Sequence, residues 1–421
     1  SFHTLPQPGE PGYETWGPDF WKDGAGPSAW AGITVDAERG MVFIPVGNPA
    51  GGGDPEGRNG MNLYSNSVVA LKAQTGKLLW SYQLVHHDVW DYDVTAPPAL
   101  IDVVRSGVKT PAVAQLTKQG LLFILDRMSG KPLFGAEERK VPTATTSGEH
   151  MWPTQPFPLK PLPLARNSMS PAEISRITPE AEQYCASLVA SRQTGGPFLP
   201  RGAETSITFP SSIGGGNWGG VSFDPTLGLI FVNTSNLGSL SGGRGGRGAP
   251  GGSGGAPPLT GGGANRGGIS GNNGGGGGGA RFVDQDHYPC NQPPWGVLSA
   301  INASTGEIAW QVTLGGYKQL EAKGIMNTGA VNAGGSIVTA SGLLLIGATN
   351  DRRFRAFDAK TGKLLWQIDM DGNALATPIT YLTRDGHQLL AVMTGGPGYM
   401  GGVGPQDLTL PGKITVFGLP K

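Results

Sequence analysis

Pairs of short β-like runs recur along the chain, and each pair is joined by a Thr-Gly or Ser-Gly turn. Residues 69–80 read VALKAQTGKLLW, and similar runs end at Trp310 and Trp366. A degenerate copy with a Ser-Gly turn ends at Phe134. Apolar residues in this pattern predict strands, and the turn glycine supplies the backbone freedom that a tight hairpin needs. The pattern therefore predicts a repeated strand–turn–strand unit that ends in a large aromatic residue.

A second pattern precedes three of these runs and consists of an Asp or Ser, a Gly and an apolar strand. Combined, the two patterns predict four-stranded antiparallel units, with irregular spacing absorbed by loops. The repeated tryptophans are expected to pack between neighbouring units. The fold class predicted is therefore all-β, a β-propeller whose blades occupy five ranges: 28–84, 96–136, 212–314, 328–370 and 374–419.

Two insertions interrupt the repeats within what we treat as one propeller domain over residues 1–421. Residues 140–210 are rich in proline and are expected to cross the top face as an ordered wall. This insertion contains the clearest helix candidate, residues 171–190. Residues 238–279 are almost entirely Gly, Ser, Pro, Asn and Arg, so they are predicted to be a disordered loop.

Composition narrows the range of partners. The chain has 71 glycines and 35 prolines, which suits short strands and turns, and its formal net charge is zero with 15% charged residues. A neutral chain gives no electrostatic reason to bind nucleic acid or an anionic membrane. No apolar run approaches the roughly 20 residues of a membrane span. The first residues lack a signal-peptide pattern and resemble the middle of a longer chain, so upstream sequence is expected.

Cysteine usage excludes two kinds of site. Cys185 and Cys290 are far apart and belong to no CxxC or CxxCH motif, which argues against a thiolate zinc site and covalent haem. The two thiols either form one disulfide or are separately buried, and the sequence leaves both alternatives open.

The densest chemistry lies at residues 86–93, which read HHDVWDYD. The stretch follows an apolar run that ends at Val85 and precedes Ala-Pro-Pro, so it is expected where a strand leaves a sheet, on a rigid frame. Asp91 in this stretch is predicted to act as a general base, as a ligand of a hard cation, or as both. Its neighbours His86, His87, Asp88 and Trp90 are expected to hold the loop rather than to bind a ligand directly.

The repeats, the HHDVWDYD stretch, the APP at 96–98 and the WPTQPFPLKP at 152–161 resemble the quinoprotein dehydrogenases. The branch most similar contains the glucose and quinate dehydrogenases. This resemblance covers nearly all of the chain outside the Gly-rich run, and it implies a propeller that binds pyrroloquinoline quinone (PQQ) and a metal ion. Family members have eight blades, so the resemblance implies that roughly five of eight are present here. The glutamate that completes metal coordination in the family would then lie upstream.

Four residues match cofactor-binding positions of that family. Trp30 in SAWAG would form the floor under the quinone ring, and Lys118 in LTKQG would contact its edge. Asn217 and Trp218 in GGGNWGG would line the cofactor. The residue types suit the task, because an indole offers a flat apolar face and PQQ carries carboxylates that favour Lys and amide donors.

The resemblance also implies a metal site formed by Asn48, Asp91 and Asp93. Amide and carboxylate oxygens suit Ca²⁺, with Mg²⁺ or a lanthanide as alternatives. An Asp two positions after the catalytic one accompanies lanthanide use in some methanol-oxidising relatives, but it also occurs in the glucose branch. Asp91 would accept the substrate hydroxyl proton while hydride moves to the quinone.

The resemblance implies a periplasmic dehydrogenase that oxidises an alcohol, a sugar or a cyclic polyol and passes electrons to an external quinone or cytochrome. The rival interpretations are a non-catalytic propeller scaffold that binds other proteins and an inactive fragment of a dehydrogenase. A scaffold has no need of a pocket formed by Trp30, Asn48, Asp91 and Lys118. The dehydrogenase interpretation therefore predicts that these four side chains converge near the propeller axis.

Overall fold

A computed structural model describes most of the chain, namely residues 1–23, 26–49, 58–143, 151–200, 205–241, 280–396, 403–404, 410 and 412–418. Strands dominate these residues, as the all-β prediction requires. The described helices are α1 (Phe20–Asp23), α2 (Pro179–Ala190) and α3 (Lys318–Glu321), with 3-10 turns at Tyr13–Thr15 and Pro171–Glu173. Among the residues described, no helix has both the length and the apolar character to cross a membrane.

The first two blades follow each other directly along the chain. The first is an antiparallel sheet of four consecutive strands: β1 (Thr34–Asp36), β2 (Met41–Val46), β3 (Ser67–Lys72) and β4 (Leu78–Gln83). The second has three: β5 (Ala99–Arg105), β6 (Val108–Leu116) and β7 (Leu122–Asp126). The prediction of four strands is wrong for this unit. Its last segment is reduced to an isolated bridge between Leu125 and Pro132, flanked by hydrogen bonds from the Asp126 N–H to Lys131 and from the Leu133 N–H to Ile124, both at 2.8 Å.

The last three blades follow the same antiparallel order. The third comprises β12 (Val221–Asp224), β13 (Leu229–Ser235), β16 (Gly296–Asn302) and β17 (Glu307–Thr313). The fourth comprises β18 (Ser336–Val338), β19 (Leu343–Ile346), β20 (Arg353–Asp358) and β21 (Leu364–Asp369). The fifth shows three strands within the described residues, not the predicted four: β22 (Ile379–Leu382), β23 (Gln388–Thr394) and β24 (Lys413–Gly418).

Interlocking aromatic residues join neighbouring blades. The Trp80 indole N–H donates to the main-chain oxygen of Arg127 at 3.0 Å, and Trp310 makes the equivalent bond to Ala359 at 3.1 Å. The turn glycine of the next blade lies against each ring, so a Cβ on Gly130 would come within 2.5 Å of Trp80. The inter-blade role predicted for these tryptophans is confirmed. Trp366 in the fourth blade is 41% exposed and contacts aromatic rings of its own blade and the fifth.

The segment predicted as an insertion forms structure of its own. Strands β8 (Ala136–Lys140) and β9 (Thr154–Pro158) make a hairpin. A further sheet contains β10 (Gln193–Gly195), β11 (Ser206–Thr208), β14 (Ser239–Ser241) and β15 (Ala280–Arg281), with β10 parallel to β11. Within the Gly-rich run predicted to be disordered, Ser239–Ser241 are this strand β14, and residues 242–279 lie outside the described residues.

A disulfide anchors the insertion. Cys185 of α2 bonds to Cys290, and both side chains are fully buried in one apolar cluster with Phe209 and Phe282. Of the two alternatives that the sequence left open, the structure contains the disulfide. The α-helix begins only at Pro179, where the Thr178 hydroxyl accepts a hydrogen bond from the Ala181 N–H and so caps it. The helix predicted from residue 171 is therefore shorter than expected.

Candidate active site

Residues 84–93 leave β4 as a loop whose ends and side chains are tied to the insertion. The side-chain amide of Gln155 pairs with the main chain of His86 in both directions, at 2.9 and 2.8 Å. The Trp90 indole donates to the main-chain oxygen of Leu199, and the Tyr92 hydroxyl donates to that of Pro197. The loop is therefore clamped between the first blade and the insertion, and this agrees with its predicted place on a rigid frame.

Asp91, Lys118 and Asn48 meet at this loop although they come from three separate segments. The Lys118 ammonium donates to the main-chain oxygen of Asp91 at 2.6 Å and to its carboxylate Oδ2 at 3.3 Å. The Asn48 side-chain amide donates to the other carboxylate oxygen, Oδ1, at 3.2 Å. Asp91 is thus held from two sides by groups that the sequence predicted to share its pocket.

Asp93 connects the same three segments to Trp30. Its Oδ2 accepts from Lys118 at 3.1 Å, and its Oδ1 accepts from the main-chain N–H of Asn48 at 3.0 Å and from the Trp30 indole at 3.5 Å. A Cβ on Gly47 would come within 2.6 Å of this Oδ1, so only glycine allows so close an approach. The predicted convergence of Trp30, Asn48, Asp91 and Lys118 is confirmed.

The electrostatics of the cluster favour a basic carboxylate at Asp91. Burial raises the pKa of Asp91 to about 6, the Lys118 ammonium opposes this rise, and the neighbouring Asp93 and Asp88 carboxylates add to it. The Asp91 side chain remains 30% exposed, whereas Lys118 is 4% exposed. A partly accessible carboxyl group with a pKa near neutrality can accept a proton from a bound hydroxyl group.

Asn217 and Trp218 belong to a loop that passes behind Lys118. The Gly215 N–H donates to the main-chain oxygen of Lys118 at 2.6 Å, which brings this Gly-rich loop to the site. Asn217 uses its side-chain amide within the loop, where Nδ2 donates to Ile213 and Oδ1 accepts from the Trp218 N–H. The Trp218 indole donates to the main-chain oxygen of Leu375. The roles of Asn217 and Trp218 in lining a cofactor stay predictions.

Sequence reasoning missed two parts of the site. Asn66, just before β3, donates from its side chain to the Asp88 carboxylate and to the main-chain oxygen of Tyr92. Phe198 packs its ring edge-on against the rings of Trp90 and Tyr92. Neither residue lies in a motif, and only the PFL run at 197–199, apolar within a polar stretch, hinted that this part of the insertion is buried.

The described residues suit an aromatic cofactor and a hard cation. The Trp30 side chain is 54% exposed while its N–H points to Asp93, so the indole keeps an accessible surface at the site. The Lys118 ammonium already places positive charge between two carboxylates. Within the described ranges, no three His, Cys, Asp or Glu side chains are grouped to hold a metal ion. The amide of Asn48 and the carboxylates of Asp91 and Asp93 supply oxygen atoms of the type that suits Ca²⁺.

Comparison with known protein families identifies the family of this chain. Residues 1–390 match the family model described as the glucose/ethanol/alcohol dehydrogenase β-propeller domain of PQQ proteins. The chain belongs to this PQQ dehydrogenase family. The resemblance noted from the repeats and the HHDVWDYD stretch is thereby confirmed.

Individual relatives within the PQQ dehydrogenase family are similar over most of the chain. A probable quinate dehydrogenase (quinone) of Xanthomonas campestris pv. juglandis is 34% identical over 388 residues, which are 88% of this chain and 48% of the relative. The quinoprotein glucose dehydrogenase of Escherichia coli K12 is 32% identical over 389 residues, 89% and 48% of the two chains. The chain thus spans about half the length of these curated relatives.

A solved structure of the family agrees in fold. The quinohemoprotein alcohol dehydrogenase from Comamonas testosteroni superposes with a TM-score of 0.61 at 25% sequence identity. The match covers 97% of this chain and 51% of that one. The predicted β-propeller class is confirmed by this likeness together with the antiparallel sheets.

Proposed function

We propose that this chain forms the PQQ- and metal-binding part of a dehydrogenase that oxidises a hydroxyl group of an alcohol, a sugar or a cyclic polyol. The observation that carries the proposal is the cluster in which Lys118 and Asn48 hold the Asp91 carboxylate beside the accessible Trp30 side chain. Electrons would pass to an external quinone or cytochrome. A periplasmic location is part of the proposal and rests on the resemblance.

Each residue of the cluster is assigned a role in binding the cofactor or the metal from the chemistry of its side chain. Trp30 would provide the surface on which the PQQ ring lies, and Lys118 would contact the carboxylate or quinone edge of the cofactor. Asn48 and Asp91 would ligate a Ca²⁺ ion through oxygen atoms. Asp93 is predicted to join them, and its two oxygens already accept hydrogen bonds from Asn48, Trp30 and Lys118.

When bound, PQQ supplies a two-electron acceptor and the metal supplies Lewis acidity. Asp91 accepts the proton of the substrate hydroxyl group at its carboxylate. Burial raises its pKa to about 6, which makes it a better base than an ordinary Asp while it is still ionised at neutral pH. Lys118 limits this rise in the pKa of Asp91. Its hydrogen bond also holds the Asp91 carboxylate in one orientation, so that the base is already positioned when substrate binds.

The relatives favour substrates with several hydroxyl groups. The similar proteins named above are a quinate and a glucose dehydrogenase, and a third, from Gluconobacter thailandicus, is a glycerol dehydrogenase large subunit at 33% identity. Cyclic polyols and sugars are therefore the first substrates to test, before simple alcohols.

The test is reconstitution of the full chain with PQQ and Ca²⁺, followed by assays of dye reduction with quinate, glucose, glycerol and ethanol. We expect turnover that depends on PQQ and is abolished by Asp91→Asn, while PQQ affinity changes little. Asp358→Asn, which removes a carboxylate from an exposed turn of the fourth blade, is the control. A folded chain that binds PQQ but reduces no dye would support the scaffold or inactive-fragment alternative. A fully active Asp91→Asn variant would remove Asp91 from the mechanism.

A further inference from the structure

Asp91 occupies an unusual backbone conformation within a turn that Asp88 builds. Asp91 has φ +68°, in the left-handed region that residues other than glycine seldom adopt. The buried Asp88 carboxylate accepts hydrogen bonds from the N–H groups of the two residues next to Asp91. Trp90 donates to Oδ1 and Tyr92 donates to Oδ2, both at 2.7 Å. One side chain therefore holds the N–H groups of the residues immediately before and after Asp91.

The same turn occurs a second time, away from the cluster. In residues 284–288, which read DQDHY, the Asp284 carboxylate accepts from the N–H groups of Asp286 and Tyr288, both at 2.9 Å. His287, at the position equivalent to Asp91, has φ +66°. In both turns, an Asp that accepts hydrogen bonds from the N–H groups two and four positions later precedes a left-handed residue at the third position.

The left-handed conformation has a specific consequence at Asp91. It directs both the main-chain oxygen and the carboxylate of Asp91 to one ammonium group, that of Lys118. It also leaves Oδ1 within reach of the Asn48 amide. Asn66 supports this geometry from behind, since its side-chain amide joins Asp88 Oδ2 at 2.9 Å to the main-chain oxygen of Tyr92 at 2.8 Å.

We propose that Asp88 is a positioning residue that sets the direction of the Asp91 carboxylate by holding the N–H groups of its two neighbours, Trp90 and Tyr92. The proposal rests on the proposed function, in which Asp91 is the base and a metal ligand. Asp88 is buried, so in this proposal it acts through Asp91 and not directly on substrate or metal. Its substitution should therefore impair what Asp91 does at the site, beyond any general loss of stability.

The test compares three variants of the full chain. Asp88→Asn keeps the shape but retains one acceptor oxygen where two are used, and its new NH₂ group would face a main-chain donor. Asp284→Asn neutralises the buried carboxylate of the second turn, where Oδ1 alone accepts both N–H groups, and is the control for loss of such a charge away from the site. Asn66→Gly removes only the support behind Asp88 and tolerates the φ of +49° at that position, so it serves if Asp88→Asn fails to fold.

Three measurements are made on each variant: the thermal midpoint, the affinity for Ca²⁺ alone by calorimetry, and kcat and KM of the chain loaded with PQQ and Ca²⁺. We expect both Asp→Asn variants to lower the midpoint, and Asp88→Asn to lower it more, because it alone loses an acceptor oxygen that is in use. Of the two Asp→Asn variants, Asp88→Asn alone should lower kcat and weaken Ca²⁺ binding, each by about 10- to 100-fold, with KM within about twofold. Asn66→Gly should shift the same two quantities by a smaller factor.

Equal kcat and Ca²⁺ affinity in the two Asp→Asn variants would overturn the positioning role. If the wild-type chain oxidised no substrate, the proposed function would fail while the Ca²⁺ affinities still decided the role of Asp88. A wild-type chain that neither turned over nor bound Ca²⁺ would overturn both.

Discussion

The Lys118 ammonium lies 2.6 Å from the main-chain oxygen of Asp91 and within 3.3 Å of one carboxylate oxygen each of Asp91 and Asp93. Lys118 comes from the turn between β6 and β7 of the second blade, whereas the two aspartates leave the first blade. A single buried cation thus balances two carboxylates and joins two blades at the proposed site.

We predict that Lys118→Met lowers the free energy of unfolding by about 2 kcal/mol, because it leaves two partly buried carboxylates without their cation. Saturating Ca²⁺ should reduce this difference, since a bound dication replaces the lost positive charge. Urea unfolding with and without Ca²⁺ measures both effects, with exposed Lys72→Met as the control. A loss of stability that Ca²⁺ left unchanged would contradict the idea that metal and lysine neutralise the same carboxylates.

The Trp30 prediction separates binding from folding. Because the side chain is 54% exposed, Trp30→Ala should change the free energy of unfolding by less than about 1 kcal/mol. It should nevertheless weaken PQQ binding at least tenfold, since a stacking face is lost, while Trp30→Phe retains most of the affinity. Fluorescence titration with PQQ gives the affinities. Equal affinity of the Ala variant and the wild type would show that Trp30 is not the floor of the cofactor site.

The glycines of the repeated turns should differ in their tolerance of a side chain. Gly130 and Gly76 have nearly the same φ, +71° and +69°, but a Cβ on Gly130 would meet Trp80 whereas a Cβ on Gly76 has nothing within 4 Å. Gly76→Ala should therefore cost only the backbone strain of about 1 kcal/mol. Gly130→Ala adds steric overlap and should cost about 2–4 kcal/mol in total. Thermal unfolding of both variants measures the difference in stability. Equal losses of stability would show that the contact between Gly130 and Trp80 adds nothing to the cost of the substitution.

An ion pair between the first two blades predicts a pH dependence of stability. Burial of Asp36 would raise its pKa, but hydrogen bonds from Arg127 and Arg39 outweigh burial and hold the pKa below the ordinary value of 3.8. A lowered folded-state pKa contributes stability above the unfolded value and loses it as the pH falls through the folded one.

Asp36→Asn should accordingly destabilise the protein by about 3 kcal/mol at pH 7, since Arg127 is buried and would lose its carboxylate. The difference from the wild type should shrink as the pH falls from 3.8, where the unfolded chain takes up its proton, toward the lower pKa of Asp36 in the folded state. Urea unfolding from pH 7 to pH 3 measures this, and Asp19→Asn, in an exposed pair with Lys22, is the control. A difference that stayed constant with pH would contradict the assignment.

The disulfide should account for much of the stability of the insertion. It links residues 105 positions apart, and closing a loop of about 100 residues corresponds to roughly 4–5 kcal/mol in the chain-entropy model. Replacing Cys185 and Cys290 together by Ala should lower the free energy of unfolding by about 2–5 kcal/mol. Reductant should lower it by a similar amount in the wild type and have no effect on the double variant. Stability of the wild type that reductant did not alter would contradict this role.

Local sequence was sufficient for the blades because each depends on contacts between neighbours in the chain. Strands β3 and β4 are adjacent and joined by a Thr-Gly turn, so period, turn and aromatic position could all be inferred from residues 69–80. The same reasoning failed at the fourth strand of the second blade. There the segment around Pro132 forms only an isolated bridge to β7 where the repeat predicts a strand.

Motif matches predicted four residues of the site, namely Trp30, Asn48, Asp91 and Lys118. The sequence alone could not give the distances and contacts between them. Which carboxylate Lys118 contacts, and the fact that Asp93 joins Asn48 and Trp30, depend on how the ends of separate strands meet. Asn66 carries no motif, and its contacts with Asp88 and Tyr92 exist only because β3 runs beside β4 in the folded blade.

The sequence by itself determined the β-strand repeat, the blade-joining tryptophans and the identity of the residues that carry charge at the site. Only the tertiary structure decided the pairing of Cys185 with Cys290, the parallel strands of the insertion and the left-handed turn that aims Asp91. The physical reason is the sequence separation over which each interaction acts. Hydrophobic periodicity and turn chemistry depend on residues only a few positions apart. Burial and hydrogen bonding between segments 26 to 109 positions apart, as from Asn66 to Tyr92 and from Trp90 to Leu199, form only when the sheets pack.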